Sequence, residues 1–388
     1  MRSSHSRSVS LAEVSLAILV SLLGANRPAR AELTFELVKE FEQPAYRTNS
    51  LIPGRDGALY GTSVPGPSNA GTVFRIDAAG TFATLRMFSW AGGESEPVLY
   101  QEADGSLYGT TRSSYEAGTL FKVDDSSVFT TLYEFDSGGP PRSLTPGNDG
   151  ALYGVTSSTV FKVDEMGTVT SLHSFAGQYN YGTALSALTL GSDGALYGIL
   201  QASYTSRASI FRIDAAGTVT FLHEFDTCVD CERNALTLGR DGALYGIMRS
   251  FIFRIDTAGG FSTLYSFGGE NGYPVSDAEL TLTLGNDGAL YGTTPGTFSG
   301  PSGGTVFRID GAGTFTTVHS FTSSYPEVSE DGAFPGNTRL TLGRDGALYG
   351  ITSRGGQTDR GTVFRIDSAG NFSTLHSFDE VDEVDETV

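Results

Sequence analysis

Short runs of alternating apolar and polar residues recur along this chain, each bounded by Gly, Asp or Pro. Strict alternation over four to eight residues marks a half-buried strand. The runs are rich in Val, Ile, Phe, Tyr and Thr, which suit a pleated surface. They are organised by a repeat. The string Asp-Gly-x-Leu-Tyr-Gly occurs seven times, starting at Asp56, Asp104, Asp149, Asp193, Asp241, Asp287 and Asp345. Each copy is followed by Phe-(Arg/Lys)-(Ile/Val)-Asp, beginning at Phe74, Phe121, Phe161, Phe211, Phe253, Phe307 and Phe364. A third string then closes each unit, the last copy being Thr-Leu-His-Ser-Phe from Thr374 to Phe378.

One unit reads as four strands, A to D. In the seventh these are Arg339–Leu342, Ala347–Thr352, Thr362–Asp367 and Asn371–Phe378. Asp-Gly between A and B is a hairpin signal, because Gly accepts the positive φ of a tight primed turn. Asp367 to Gly370 between C and D is a slightly longer turn of the same kind. No helical periodicity appears beyond residue 31. Seven four-stranded units predict an all-β, seven-bladed β-propeller, a single domain spanning residues 32–378. Leu33–Phe41 resembles an extra strand D and competes with the seventh unit's own strand to close the ring. The last ten residues, 379–388, carry six acids and read as a disordered tail.

Residues 1–31 read as a signal peptide, with Arg2 and Arg7 ahead of the apolar run Leu16–Leu23 and Ala29-Arg30-Ala31 as the cleavage site. The run is shorter than a bilayer span requires. The expected location is therefore extracellular or periplasmic. The whole chain has a formal net charge of −19, and removing the leader takes away four Arg and one Glu. An acidic surface of this kind repels phosphate backbones and anionic lipid, which excludes nucleic acid and membrane docking as expected partners. The only cysteines, Cys228 and Cys231, are spaced C-x-x-C without the strand–helix context of a redox pair, and are expected to form a small loop disulfide.

The units resemble the GloVer tandem repeats of bacterial secreted proteins of the choice-of-anchor type. The resemblance rests on DGALYGTT (Asp287–Thr294), GTVFRID (Gly361–Asp367) and TLHSF (Thr374–Phe378), and it extends over residues 50–378. It implies no particular reaction. Relatives often carry an apolar, basic-flanked sorting segment at the C-terminus, where this sequence has its acidic run.

Candidate chemistry can be weighed against the repeat. His173, His223, His319 and His376 all fall on one strand-D position, which Arg86, Tyr133 and Tyr265 fill in other units. A position that accepts His, Tyr or Arg reads as half-exposed packing, so no singular histidine is left as general base or metal ligand. The Asp before Gly and the Asp ending strand C both lie at turns on one face, where turn chemistry explains them. No cofactor is expected, and weak calcium binding by these carboxylates is the sharper alternative. The basic residue after each repeated Phe (Arg75, Lys122, Lys162, Arg212, Arg254, Arg308, Arg365) is expected to pair with the neighbouring blade.

Function is expected on the opposite face, where the B–C and D–A connections vary in length. These loops carry the ligand-binding candidates Trp90, Tyr115, Tyr179, Tyr181, Tyr204, Tyr273 and Tyr325, with Glu94, Glu96, Asp230, Glu232, Glu327 and Asp331 beside them. Flat aromatics next to carboxylates suit stacking on sugar rings. The first expectation is a secreted, non-catalytic binding or scaffold propeller for an extracellular glycan or protein. The alternative is a secreted polysaccharide lyase or glycosidase using a carboxylate pair on that face. A third class is a self-associating surface-layer component.

Overall fold

The computed structural model describes residues 48–377, except 54–55, 57, 64–71, 78–80, 88–98, 103–104, 112–117, 125–127, 136–140, 142, 177–182, 203–206, 226–234, 249–250, 268–281, 296–301, 323–328, 336–339, 344, 358 and 360. The expected signal peptide, Leu33–Phe41 and the acidic tail lie outside the described residues. The chain divides into two compact units, residues 1–141 and 142–388.

The first unit holds two antiparallel sheets. One is β1 (Thr48–Pro53), β2 (Leu59–Ser63), β3 (Thr72–Ile76) and β4 (Phe82–Met87). The other is β5 (Leu99–Gln101), β6 (Leu107–Thr110), β7 (Thr119–Val123) and β8 (Phe129–Glu134). The second unit holds five sheets. The third blade is β9 (Ser143–Pro146), β10 (Leu152–Val155), β11 (Thr159–Val163) and β12 (Val169–Ser174). The fourth is β13 (Thr183–Leu185), β14 (Thr189–Leu190), β15 (Leu196–Ala202), β16 (Ala208–Ile213) and β17 (Val219–Phe225). The fifth is β18 (Thr237–Leu238), β19 (Leu244–Met248), β20 (Phe251–Ile255) and β21 (Phe261–Ser266). The sixth is β22 (Thr283–Leu284), β23 (Leu290–Pro295), β24 (Ser302–Ile309) and β25 (Phe315–Thr322). The seventh is β26 (Thr341–Leu342), β27 (Leu348–Ile351), β28 (Thr362–Ile366) and β29 (Phe372–Ser377). Strand order in each sheet follows the chain, as an up-and-down blade requires. The fourth blade departs slightly, because its innermost strand is broken into β13 and β14, which both pair with β15.

The repeated strings are the parts of one packing unit. In every sheet the second Gly of the first string faces the Phe of the second, as in Gly61↔Phe74, Gly198↔Phe211 and Gly350↔Phe364. That Phe is wholly buried, and a Cβ on Gly198 would lie 2.7 Å from the Phe211 ring. Glycine is therefore needed at this position for room. The first Gly, after Asp, is needed for conformation: Gly150, Gly194 and Gly242 have φ of 77°, 79° and 77°.

The core runs between neighbouring blades as well as within them. In the second unit, Tyr153 and Val155 of the third blade pack with Leu196, Leu200 and Phe211 of the fourth. In the first unit, Val73 of β3 packs with Leu107 and Phe121 of the next sheet. Each such Phe contributes about 1.5–3 kcal/mol by leaving water. A β-bulge also recurs between strands C and D. In β16–β17, Ile210 faces His223 and Phe211 faces Phe221, so Leu222 is the extra residue. The bulge turns two successive side chains, Leu222 and His223, toward the next blade, where Leu222 joins its core.

Candidate functional site

At the A–B hairpins one hydrogen-bonded set recurs in six of the seven sheets. Asp193 opens the hairpin, and its Oδ1 accepts the Ala195 amide at 3.1 Å. Its Oδ2 accepts the Tyr197 hydroxyl at 3.0 Å and Arg212 Nε at 2.9 Å. Tyr197 and Arg212 face each other across β15 and β16, so both reach the carboxylate from one side of the sheet. The same arrangement joins Asp56, Tyr60 and Arg75; Asp241, Tyr245 and Arg254; Asp287, Tyr291 and Arg308; and Asp345, Tyr349 and Arg365. In the third blade Lys162 substitutes for arginine, its Nζ 2.6 Å from Asp149 Oδ2.

The basic residue after each repeated Phe was expected to reach the neighbouring blade. For Arg75, Lys162, Arg212, Arg254, Arg308 and Arg365 the carboxylate partner lies in the residue's own blade instead, because the strand register sets each opposite the tyrosine that already points at the turn. Electrostatics follow the geometry. Burial opposes the charge on Asp149, yet Lys162, the Tyr153 hydroxyl and the Ala151 amide bring its carboxyl down to about 2. Burial and the adjoining Asp193 carboxylate push Tyr197 up to about 12.

The aspartates that end strand C do turn chemistry as expected. Asp214 Oδ1 accepts the amides of Ala216 and Thr218, and Asp310 and Asp367 do the same one and two blades on from the fifth. Among the described residues, no group of three or more His, Cys, Asp or Glu is placed to hold a metal.

Blades of the second unit are joined by other atoms. Threonines of the innermost strands donate to a leucine carbonyl of the following blade: Thr145 to Leu188, Thr189 to Leu236, Thr237 to Leu282 and Thr283 to Leu340. At the outer edge, the strand-D position shared by the histidines stacks on the first residue of the next strand D. His223 lies on Phe261, Tyr265 on Phe315 and His319 on Phe372. In the first unit the Arg86 guanidinium sits 5.1 Å above the Phe129 ring in the same way. His223 and His319 are thus packing residues, as their shared position predicts.

The opposite face, formed by the B–C and D–A connections, is only partly described. Trp90, Tyr115, Tyr179, Tyr181, Tyr204, Tyr273 and Tyr325 lie outside the described residues, as do Cys228 and Cys231 and the carboxylates Glu94, Glu96, Asp230, Glu232 and Glu327. Asp331 is described. Its Oδ2 is 2.8 Å from His319 Nε2, and its Oδ1 accepts the Ser329 hydroxyl. With the Ser329 proton so engaged, the Thr322 hydroxyl donates to Ser329 Oγ at 2.6 Å. A hydrolytic triad places histidine between serine and carboxylate. Here the carboxylate is in the middle, an order that differs from the triad's and that ties Ser329 and His319 to one loop residue. Nearby, Asp359 accepts the Gly355 amide at 2.7 Å and faces Arg354 at 3.6 Å.

Seven successive antiparallel sheets in up-and-down order, two in the first unit and five in the second, are the blades of an all-β, propeller-type fold. The chain belongs to the Gloeobacter/Verrucomicrobia repeat family, whose model matches residues 46–251 and 249–387. No curated protein matches it in sequence. Among solved structures it is similar to a streptogramin B lyase at 19% identity and a TM-score of 0.52, over 80% of this chain and 92% of that one. A catalytically inactive virginiamycin B lyase from Staphylococcus aureus with quinupristin is similar at 15% identity and a TM-score of 0.53, over 80% and 93%. An oligogalacturonate lyase in complex with manganese is similar at 12% identity and a TM-score of 0.50, over 87% and 88%. At these identities the likeness is one of fold.

Proposed function

We propose that the protein is a secreted, non-catalytic binding propeller that recognises an extracellular glycan or protein through its B–C and D–A face. The observation that carries this reading is the use already made of the repeated polar residues. On the A–B and C–D face, the aspartates, tyrosines and arginines satisfy one another within their blades. At the outer edge His223 and His319 stack on the next blade. The residues that vary between units are left to recognise a partner, and they include Trp90 and six loop tyrosines. Aromatic loops on a rigid scaffold suit a sugar or peptide surface.

Catalysis on the same face is the alternative, as a polysaccharide lyase or glycosidase. It is kept under test because the oligogalacturonate lyase and the streptogramin lyases share the fold. Fold is not function. The deciding experiment is binding of the purified protein to a polysaccharide array, beside Trp90→Ala, followed by an assay for released sugar on each glycan bound. Binding that Trp90→Ala weakens, without turnover, is the expected result. Turnover would replace this reading with the enzymatic one, and silence from both proteins would remove glycans as the ligand.

A further inference from the structure

The connection between the sixth and seventh blades is the longest step in the repeat, and its described part, Ser329 to Pro335, is tied to both blades. On the sixth-blade side, Asp331 pairs with His319, Ser329 accepts from Thr322, and the Phe334 amide donates to the Gly303 carbonyl at 2.6 Å. On the seventh-blade side, Ala333 and Arg354 exchange both backbone hydrogen bonds, at 2.7 and 3.1 Å. The Gly356 amide donates to the Ser329 carbonyl at 2.8 Å, and the Thr362 hydroxyl donates to the Asp331 carbonyl at 3.2 Å. Ser353 donates to the Phe334 carbonyl through both its amide and its hydroxyl.

This segment is built as tightly as a core. Ala333 is wholly buried, and Ser329 and Phe334 are nearly so. Gly332 has φ of 101°, and a Cβ there would collide with the hydroxyls of Thr352 and Thr362. Phe334 holds φ of 59°, a backbone shape that a bulky side chain adopts only when its surroundings fix it. Here the fixing bonds come from Gly303 on one blade and Ser353 on the other. A passive surface loop would show neither this burial nor bonds shared so evenly between two blades.

We propose that residues 329–335 are a clasp that locks the sixth and seventh blades into one opening unit, with the Asp331 carboxylate as its anchor. The blades of a repeat protein are joined mainly to their neighbours and can open separately. The clasp removes that freedom at this junction, and it fixes the face on which it lies.

Native-state hydrogen exchange on the full chain tests this, read in β24 and β28 with β16 as the internal reference. In the wild type, β24 and β28 are expected to open at one common rate. Asp331→Ala leaves the Ser329 and His319 donors without their acceptor and is expected to speed exchange in β28 by about tenfold relative to β24, with β16 unchanged. Should that variant fail to accumulate, His319→Phe keeps a ring on Phe372, cuts the bond to Asp331, and gives the same reading. Independent opening of β24 and β28 in the wild type would overturn the proposal. So would a variant that alters every blade equally, or none.

Discussion

The imidazole of His223 lies flat on the ring of Phe261, with centroids 3.8 Å apart and planes 3° from parallel. The two residues belong to successive outer strands, so this stack is a seam between blades. One blade further on, Tyr265 makes the same contact with Phe315 at 4.0 Å and 10°. His223→Ala is expected to lower stability by about 1–2 kcal/mol, whereas His223→Tyr is expected to be nearly neutral. Thermal melting of the three proteins side by side checks this.

A pH effect accompanies the stack. Burial lowers the pKa of His223 below its ordinary 6.5. The unfolded chain therefore takes up a proton at this residue before the folded one does. Stability at this site is complete above pH 6.5 and falls as the pH drops through that value toward the folded pKa. The melting difference between the wild type and His223→Tyr should accordingly shift against the wild type between pH 7 and 5. A constant difference across that range would show the ring to be freely solvated.

The hairpin aspartates act in the opposite range. Asp149 is held near 2 against an ordinary 3.8, so its contribution is complete above about pH 4 and is lost as the pH falls toward 2. Lys162→Met should cost the protein about 1–3 °C of melting temperature at pH 6, the partly exposed pair being weakened by solvent. That difference should shrink as the pH falls to 2. An undiminished gap at pH 2 would mean that the lysine acts through packing of its stem on Tyr153.

The close approach of Gly198 to Phe211 makes a steric prediction. Gly198→Ala places a methyl group 2.7 Å from Cζ of that ring and is expected to cost about 1–3 kcal/mol. Phe211→Leu in the same chain should recover part of the loss, which a double-mutant cycle measures.

The carboxylates of the hairpins already accept hydrogen bonds from arginine, tyrosine and backbone within their own blades. The melting curves in calcium and in chelator are therefore expected to coincide. A rise in melting temperature with calcium would point to the turn carboxylates as weak ligands.

The blade itself was legible in the sequence. Strands Thr362–Ile366 and Phe372–Ser377 fall within a residue or two of the ends that Asp367-Ser-Ala-Gly370 implies, because Asp-Gly and Asp-x-x-Gly turns fix where alternation must stop. The histidine position was also readable, since a site that tolerates His, Tyr and Arg is defined by its neighbours. The partner of Arg212 was not. Identifying it requires knowing that β15 and β16 pair Tyr197 with Arg212, and register across a variable loop is not written in either strand alone. One signal was available: Tyr197 lies four residues after Asp193, on the same side of its strand. The bulge at Leu222 escaped because it breaks the alternation used to find strands. Asp331 was visible as a loop carboxylate, but its bond to His319 joins two segments that only the folded loop brings together.

The threonine links carry a consequence for how such a chain can change length. Thr145, Thr189, Thr237 and Thr283 each need only a carbonyl at the start of the following blade, and each finds it on a leucine in the same place. Nothing in that bond distinguishes one successor from another. A recombination event that duplicated or excised one whole unit would join two seams made of the same atoms, leaving the variable loops to be reshuffled as intact cassettes.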